Sequence, residues 1–206
     1  IKEVMASGFN GFFVVASNPV DIISYHIMKL SGLPKNQVIG TGTSIDTIRL
    51  KTILSSYLND IDPRDIHAYV LGEHGDSQMV PWSNAKVAGI PLTEYIKEPL
   101  DLNAIAYQTM QVGWEIYKRK GTTYYGIAAA VVRIIKAIFN DEQIIIPTSA
   151  LLEGEYDEFN IYTGVPTIIG KNGVESVLEL PLTPNELNAF KHSNNVLRES
   201  MKTIGY

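Results

Sequence analysis

Apolar residues in the first third of the chain come in short runs divided by polar turns. Residues 1–7 read as the end of a helix before Gly8, and 11–16 form a buried-strand pattern that stops at Ser17-Asn18-Pro19, because proline cannot donate a ladder bond. Residues 21–30 then predict a helix, with Asp21 suited to cap it and Gly32-Leu33-Pro34 to end it. Val38-Ile39-Gly40 is a brief strand before the turn Thr41-Gly42-Thr43-Ser44. Ile45, Ile48, Ile53, Leu54 and Leu58 recur at near-helical spacing, so 45–58 is a helix carrying Asp46 and Arg49 on one face. After a polar loop at 59–65, residues 67–71 predict a strand that runs into Gly72-Glu73-His74-Gly75-Asp76-Ser77. Strand, turn and helix alternate throughout, the pattern of an α/β fold with a parallel component.

Past Gly89 the periods lengthen. Residues 102–118 and 123–140 read as long helices joined at Lys120-Gly121. Strands follow at 143–151 and 159–169, with Lys171-Asn172-Gly173 as a hairpin turn before a strand at 174–180. Thr183-Pro184-Asn185-Glu186 has the form of a capped first turn for a final amphipathic helix. The end of one α/β unit is therefore followed by an α+β unit.

The chain has 206 residues and is 45% hydrophobic, enough for one large core or two small ones. A net charge of -5 without clustered Lys or Arg argues against general nucleic-acid binding, which needs cations to neutralise phosphates. Any anionic ligand must be met locally. The absence of cysteine removes disulfides and thiolate metal sites and fits the cytosol. The apolar runs fall short of the roughly 20 residues that span a bilayer, and no signal peptide is visible. The first residue is Ile1, which predicts a fragment lacking its N-terminal part.

The glycine-flanked His74 is the strongest chemical signal. A strand that ends in such a turn presents the ring where ligands usually bind, and histidine can both give and take a proton near neutral pH. Hydride transfer to a 2-keto acid needs a proton donor at the carbonyl and a cation for the carboxylate. His74 suits the first task, with Asp46 on its other ring nitrogen to fix the tautomer. Arg49 suits the second, through two parallel hydrogen bonds, and Asn18 suits a contact to the reacting oxygen. Taken singly, the same residues also suit a turn histidine, a surface ion pair and a turn former. A metal site at Glu73, His74 and Asp76 is disfavoured, because no second histidine stands at ligand spacing.

Ser17-Asn18-Pro19-Val20-Asp21, Gly40-Thr41-Gly42-Thr43-Ser44-Ile45-Asp46-Thr47-Ile48-Arg49, Gly72-Glu73-His74-Gly75-Asp76-Ser77 and Lys120-Gly121-Thr122-Thr123-Tyr124-Tyr125-Gly126 occur in that order. Together they resemble the lactate/malate dehydrogenase family, and most closely its bacterial L-lactate dehydrogenases, through Tyr162-Thr163-Gly164-Val165-Pro166 and the last helix. The resemblance implies the end of a Rossmann-type NAD-binding domain at 1–40, followed by the family's α+β substrate domain at 41–206. It also implies that the glycine-rich cofactor turn, the ribose-binding acid and the substrate loop lie upstream of Ile1.

By that resemblance, His74 exchanges the proton with pyruvate and L-lactate, Asp46 is its partner and Arg49 clamps the carboxylate. Asn18, Asp21 and Thr123 join Asp46 and Arg49 around the substrate, while Ala16, Ser17, Asn18 and Ile127 hold NAD. The resemblance further implies a cytoplasmic homotetramer acting in fermentation. Bacterial members often bind fructose 1,6-bisphosphate at a subunit interface, through positions held here by Lys51 and His67. Lys51 stands where the family has arginine, which keeps the charge and loses the bidentate fork. Ile48 and Leu50 replace the alanine and phenylalanine usual beside the clamp. A malate or other L-2-hydroxyacid dehydrogenase would share the same constellation, and a non-catalytic effector-binding or assembly module is the reading from another class.

Overall fold

A computed structural model describes residues 1–203 and 205. The elements in chain order are α1 (Lys2–Ala6), β1 (Phe13–Val15), α2 (Val20–Ser31), β2 (Val38–Gly40), α3 (Ser44–Tyr57), β3 (Ile66–His67), β4 (Lys86–Val87), β5 (Ile90–Pro91), α4 (Leu92–Tyr95), α5 (Leu102–Lys120), α6 (Tyr125–Phe139), β6 (Ile144–Glu153), β7 (Phe159–Gly170), β8 (Gly173–Val177) and α7 (Pro184–Thr203).

One sheet of five strands, ordered β1-β2-β6-β7-β8, organises the molecule, and β3-β4-β5 form a second, small sheet. β1 and β2 run parallel, whereas every later pair in the large sheet is antiparallel. Gly40 of β2 faces Ser149 of β6, so the sheet continues across the division expected at residue 40. Successive side chains of a strand face opposite sides, and β2 shows the consequence. Val38 enters the cluster of Tyr25 and Tyr162, while Ile39 enters that of Ile134 and Ile138 from α6. A further core joins Leu71, Ala150, Val165 and the fully buried Phe190 of α7. Leu50 and Leu54 of α3 anchor another with Ile66 and Val87.

Several local expectations hold. Gly32 ends α2 in the left-handed region, at φ 66°. Thr183 and Glu186 form a reciprocal cap at α7, with the Thr183 N–H donating to Glu186 Oε2 at 2.9 Å. β7 and β8 pair through Gly170 and Gly173, which leaves Lys171 and Asn172 as the turn.

Others are corrected. Asp21 does not cap α2: Pro19 occupies that position, and no side chain accepts there. The strand expected over 67–71 is limited to Ile66–His67 plus bridges from Leu71 to Met79 and from Gly72 to Gly164. The reason lies in α3 and the Thr43 that precedes it, whose hydroxyls take over the ladder's task. Thr47 Oγ1 accepts from the Val70 N–H at 2.9 Å, and Thr43 Oγ1 donates to the Val70 carbonyl at 2.6 Å.

Candidate active site

The loop that carries His74 is pinned from three sides. Gly72 exchanges both backbone hydrogen bonds with Gly164 of β7, at 2.9 and 2.8 Å. This close approach requires glycine, since Gly72 has φ +90° and a Cβ there would lie 2.3 Å from Ser193 Oγ. From α7, Ser193 Oγ accepts the Glu73 N–H at 2.8 Å. From α2, the Asp21 carboxylate accepts the His74 N–H at 3.0 Å and the Ser149 hydroxyl at 2.5 Å. Asp21 is buried and stands behind His74, not among the residues that line the cleft. Burial pushes its carboxyl up to about 6, against the bonds from Ser149 and His74.

The His74 ring meets α3. Its Nδ1 lies 2.5 Å from Asp46 Oδ2, while Asp46 Oδ1 lies 3.2 Å from Arg49 Nη1. The Asp46 side chain is only 3% exposed, so one buried carboxylate organises both groups. Burial opposes charge on the ring, but the hydrogen bond and charge of Asp46, with the charge of Asp21, raise the His74 pKa above 6.5. The Asp46 contact engages Nδ1 and leaves Nε2 for exchange with a ligand.

His74, Asp46, Arg49, Asn18 and Thr123 line one cleft of about 410 Å³. Loops after β1 and before α6 thus bring Asn18 and Thr123 to the groups held by α3. The remaining wall includes Gln78 and four residues of α5, namely Met110, Gly113, Trp114 and Tyr117, none of which the sequence reading singled out. The signal available for these was a glycine inside a helical pattern, followed by aromatics at i and i+3. Ala16, Ser17 and Ile127 are outside this lining. Ala16 and Ser17 are exposed at the carboxyl end of β1, and Ile127 is half-buried in the first turn of α6.

A second groove, of about 830 Å³, brings Lys51 and His67 together with Arg64 and Arg133. Burial lowers the Lys51 pKa. Arg64 is paired with Asp62 and Arg133 with Glu142, so two of the four are already engaged. Of the two residues flanking Arg49, Leu50 is core and Ile48 lines this groove. Among the described residues, no group of three or more His, Cys, Asp or Glu could hold a metal ion. No described helix is long and apolar enough to cross a membrane.

The mixed sheet holds a histidine–aspartate pair beside an arginine, and the chain belongs to the lactate/malate dehydrogenase family. That family's NAD binding domain matches residues 1–40, and its alpha/beta C-terminal domain matches residues 43–205. The L-lactate dehydrogenase 3 of Bacillus cereus is 56% identical over 212 residues, covering 100% of this chain and 67% of its own length. The L-lactate dehydrogenase of Priestia megaterium is 47% identical, covering 97% of this chain and 64% of its own. The structure of the minor L-lactate dehydrogenase from Enterococcus mundtii, with ligands bound, superposes with a TM-score of 0.94 at 47% identity, over 98% of this chain and 66% of that one. A lactate dehydrogenase from a deep-sea metagenome library superposes with a TM-score of 0.96 at 45% identity, over 100% of this chain and 67% of that one. The chain therefore spans about two thirds of the length of these relatives.

Proposed function

We propose that the chain carries the substrate site of an NAD-dependent L-lactate dehydrogenase, reducing pyruvate to L-lactate and catalysing the reverse. The observation that carries this reading is His74, held through Nδ1 by the buried Asp46 in a cleft it shares with Arg49 and Asn18.

The carboxyl end of β1 fits a dinucleotide. Ligands of open α/β sheets bind where parallel strands end, and the small exposed residues Ala16 and Ser17 stand there beside Asn18. These three and Ile127 would hold the nicotinamide end of NAD. When bound, that cofactor supplies or accepts the hydride.

The chain's own residues perform the acid–base work. Arg49 takes the substrate carboxylate in a two-pronged, charge-assisted grip. Protonated His74 gives its Nε2 proton to the carbonyl oxygen in reduction and recovers it from the hydroxyl in oxidation. Asp46 fixes the ring so that Nδ1 keeps its hydrogen in both directions and the charged form is stabilised. Asn18 donates to the same oxygen. Thr123 borders the substrate's side chain, and Met110 and Trp114 supply apolar wall. Asp21 contributes charge and loop position from behind, not substrate contact.

The groove of Lys51 and His67 supports binding of a phosphorylated effector such as fructose 1,6-bisphosphate. Its basic groups converge from α3, the turn before β3, β3 itself and α6. Assembly as a homotetramer belongs to the same reading. It is supported by the apolar surface of α6, where Val132 is 49% and Phe139 85% exposed. The cytoplasmic setting rests on the family resemblance.

The deciding experiment is NADH oxidation by the full-length protein with pyruvate and oxaloacetate in parallel. Preference for pyruvate is expected; preference for oxaloacetate would make the enzyme a malate dehydrogenase using the same groups. Turnover of neither would remove the reading in favour of a dehydrogenase acting on a different 2-keto acid or a non-catalytic module.

A further inference from the structure

Gly113 lies inside α5, where glycine is the least favourable residue after proline. Its backbone is not in the left-handed region, so conformational freedom does not explain it. Space does. A Cβ at Gly113 would lie 3.1 Å from Arg49 Nη1 and 3.8 Å from both Cζ and Nη2. These guanidinium atoms are the nearest three, and the closest distance is tighter than ordinary packing allows.

The room Arg49 has to retreat is the cleft it lines, away from its present position. Its side chain is 12% exposed, and its Nη1 is already held 3.2 Å from Asp46 Oδ1. We infer that Gly113 is a positioning residue for the substrate clamp, its missing side chain leaving the space in which the Arg49 guanidinium lies between α5 and Asp46. The inference rests on the reading of Arg49 as the group that grips the substrate carboxylate.

The consequence for the reaction is geometric. A fork that binds a carboxylate with two parallel bonds fixes the substrate's position and plane, so moving the fork re-aims the carbonyl relative to His74. A methyl at position 113 forces Arg49 to shift by a few tenths of an ångström, because the glycine's helix backbone cannot yield as cheaply as a side chain. Gly113 touches the cleft wall as well, but its closest partner is the clamp and not open cavity.

The test is steady-state kinetics of full-length Gly113→Ala, Arg49→Lys and the double variant, with NADH affinity and melting temperature measured on each. Gly113→Ala is expected to raise the pyruvate KM about tenfold, with a smaller effect on kcat and none on NADH affinity. Its melting temperature should be unchanged or higher, since alanine favours the helix. In the Arg49→Lys background the same substitution should add little, because the displaced fork is gone. An unchanged pyruvate KM in Gly113→Ala, or a tenfold loss that persists in the double variant, would overturn the inference while leaving the clamp intact. An Arg49→Lys variant with normal pyruvate KM would instead remove the clamp reading, and the role of Gly113 with it.

Discussion

Asp46 Oδ2 lies 2.5 Å from His74 Nδ1, and only 3% of the Asp46 side chain is exposed. This pairing sets the ring's tautomer, its orientation and its charge together. Asp46→Asn keeps the shape and removes the charge. It should lower kcat for pyruvate reduction by about a hundredfold or more and move the alkaline limb of its pH profile to lower pH. Activity with an unmoved limb would show that Asp46 serves only to hold the helix.

The raised His74 pKa gives the two directions opposite pH dependence. Reduction needs the imidazolium, so kcat/KM for pyruvate should be flat below the ordinary value of about 6.5 and fall as pH rises through the raised pKa. Oxidation needs the neutral ring, so kcat/KM for lactate should rise through the same value. His74→Asn should remove both limbs and lower turnover by about 10²- to 10⁴-fold, while calorimetry finds NADH affinity nearly unchanged. Loss of NADH affinity would contradict the assignment.

Asp21 tests the electrostatics from behind. Burial pushes its carboxyl up to about 6, and its charge helps to raise the His74 pKa. Asp21→Asn should therefore shift the alkaline limb of pyruvate reduction to lower pH, with the pyruvate KM at low pH little changed. A large rise in that KM would mean that Asp21 reaches the substrate after all.

The contrast between Asp46 and Asp21 illustrates what periodicity can and cannot disclose. Asp46 and Arg49 share a helical face, so their proximity follows from spacing alone, and the helices and the β7–β8 hairpin follow from periods of 3.6 and 2. Asp21 meets His74 across 53 positions, a contact set by how α2 packs and by no local pattern. The strands of the small sheet are two residues each, too short for any alternation to register. The expected strand at 68–70 fails for a related reason, since its partners are the hydroxyls of Thr47 on α3 and of Thr43 just before it. The α5 wall of the cleft is not legible in the sequence because Met110, Trp114 and Tyr117 form no chemical motif.

Arg49→Lys isolates the fork from the charge. The ammonium keeps the cation and loses the planar, two-pronged grip, so the pyruvate KM should rise by about one to two orders of magnitude while NADH affinity stays within about twofold. An equal loss of both would make Arg49 a structural partner of Asp46.

The groove of Lys51 and His67 makes a separate prediction about regulation. Of its four basic groups, Arg64 and Arg133 are paired with Asp62 and Glu142, whereas Lys51 is partly buried and its charged form is disfavoured by that burial. A bisphosphate binding there would restore the ammonium's stability, so fructose 1,6-bisphosphate should lower the pyruvate KM more strongly as pH falls and the Lys51 ammonium is favoured. Lys51→Gln should abolish that activation and leave the activity without effector nearly unchanged, because Lys51 is outside the catalytic cleft. Lys51→Arg, which supplies a fork for phosphate oxygens, should strengthen activation. Effector titrations of the three proteins at two pH values decide the matter: activation that survives Lys51→Gln would place the anion site elsewhere.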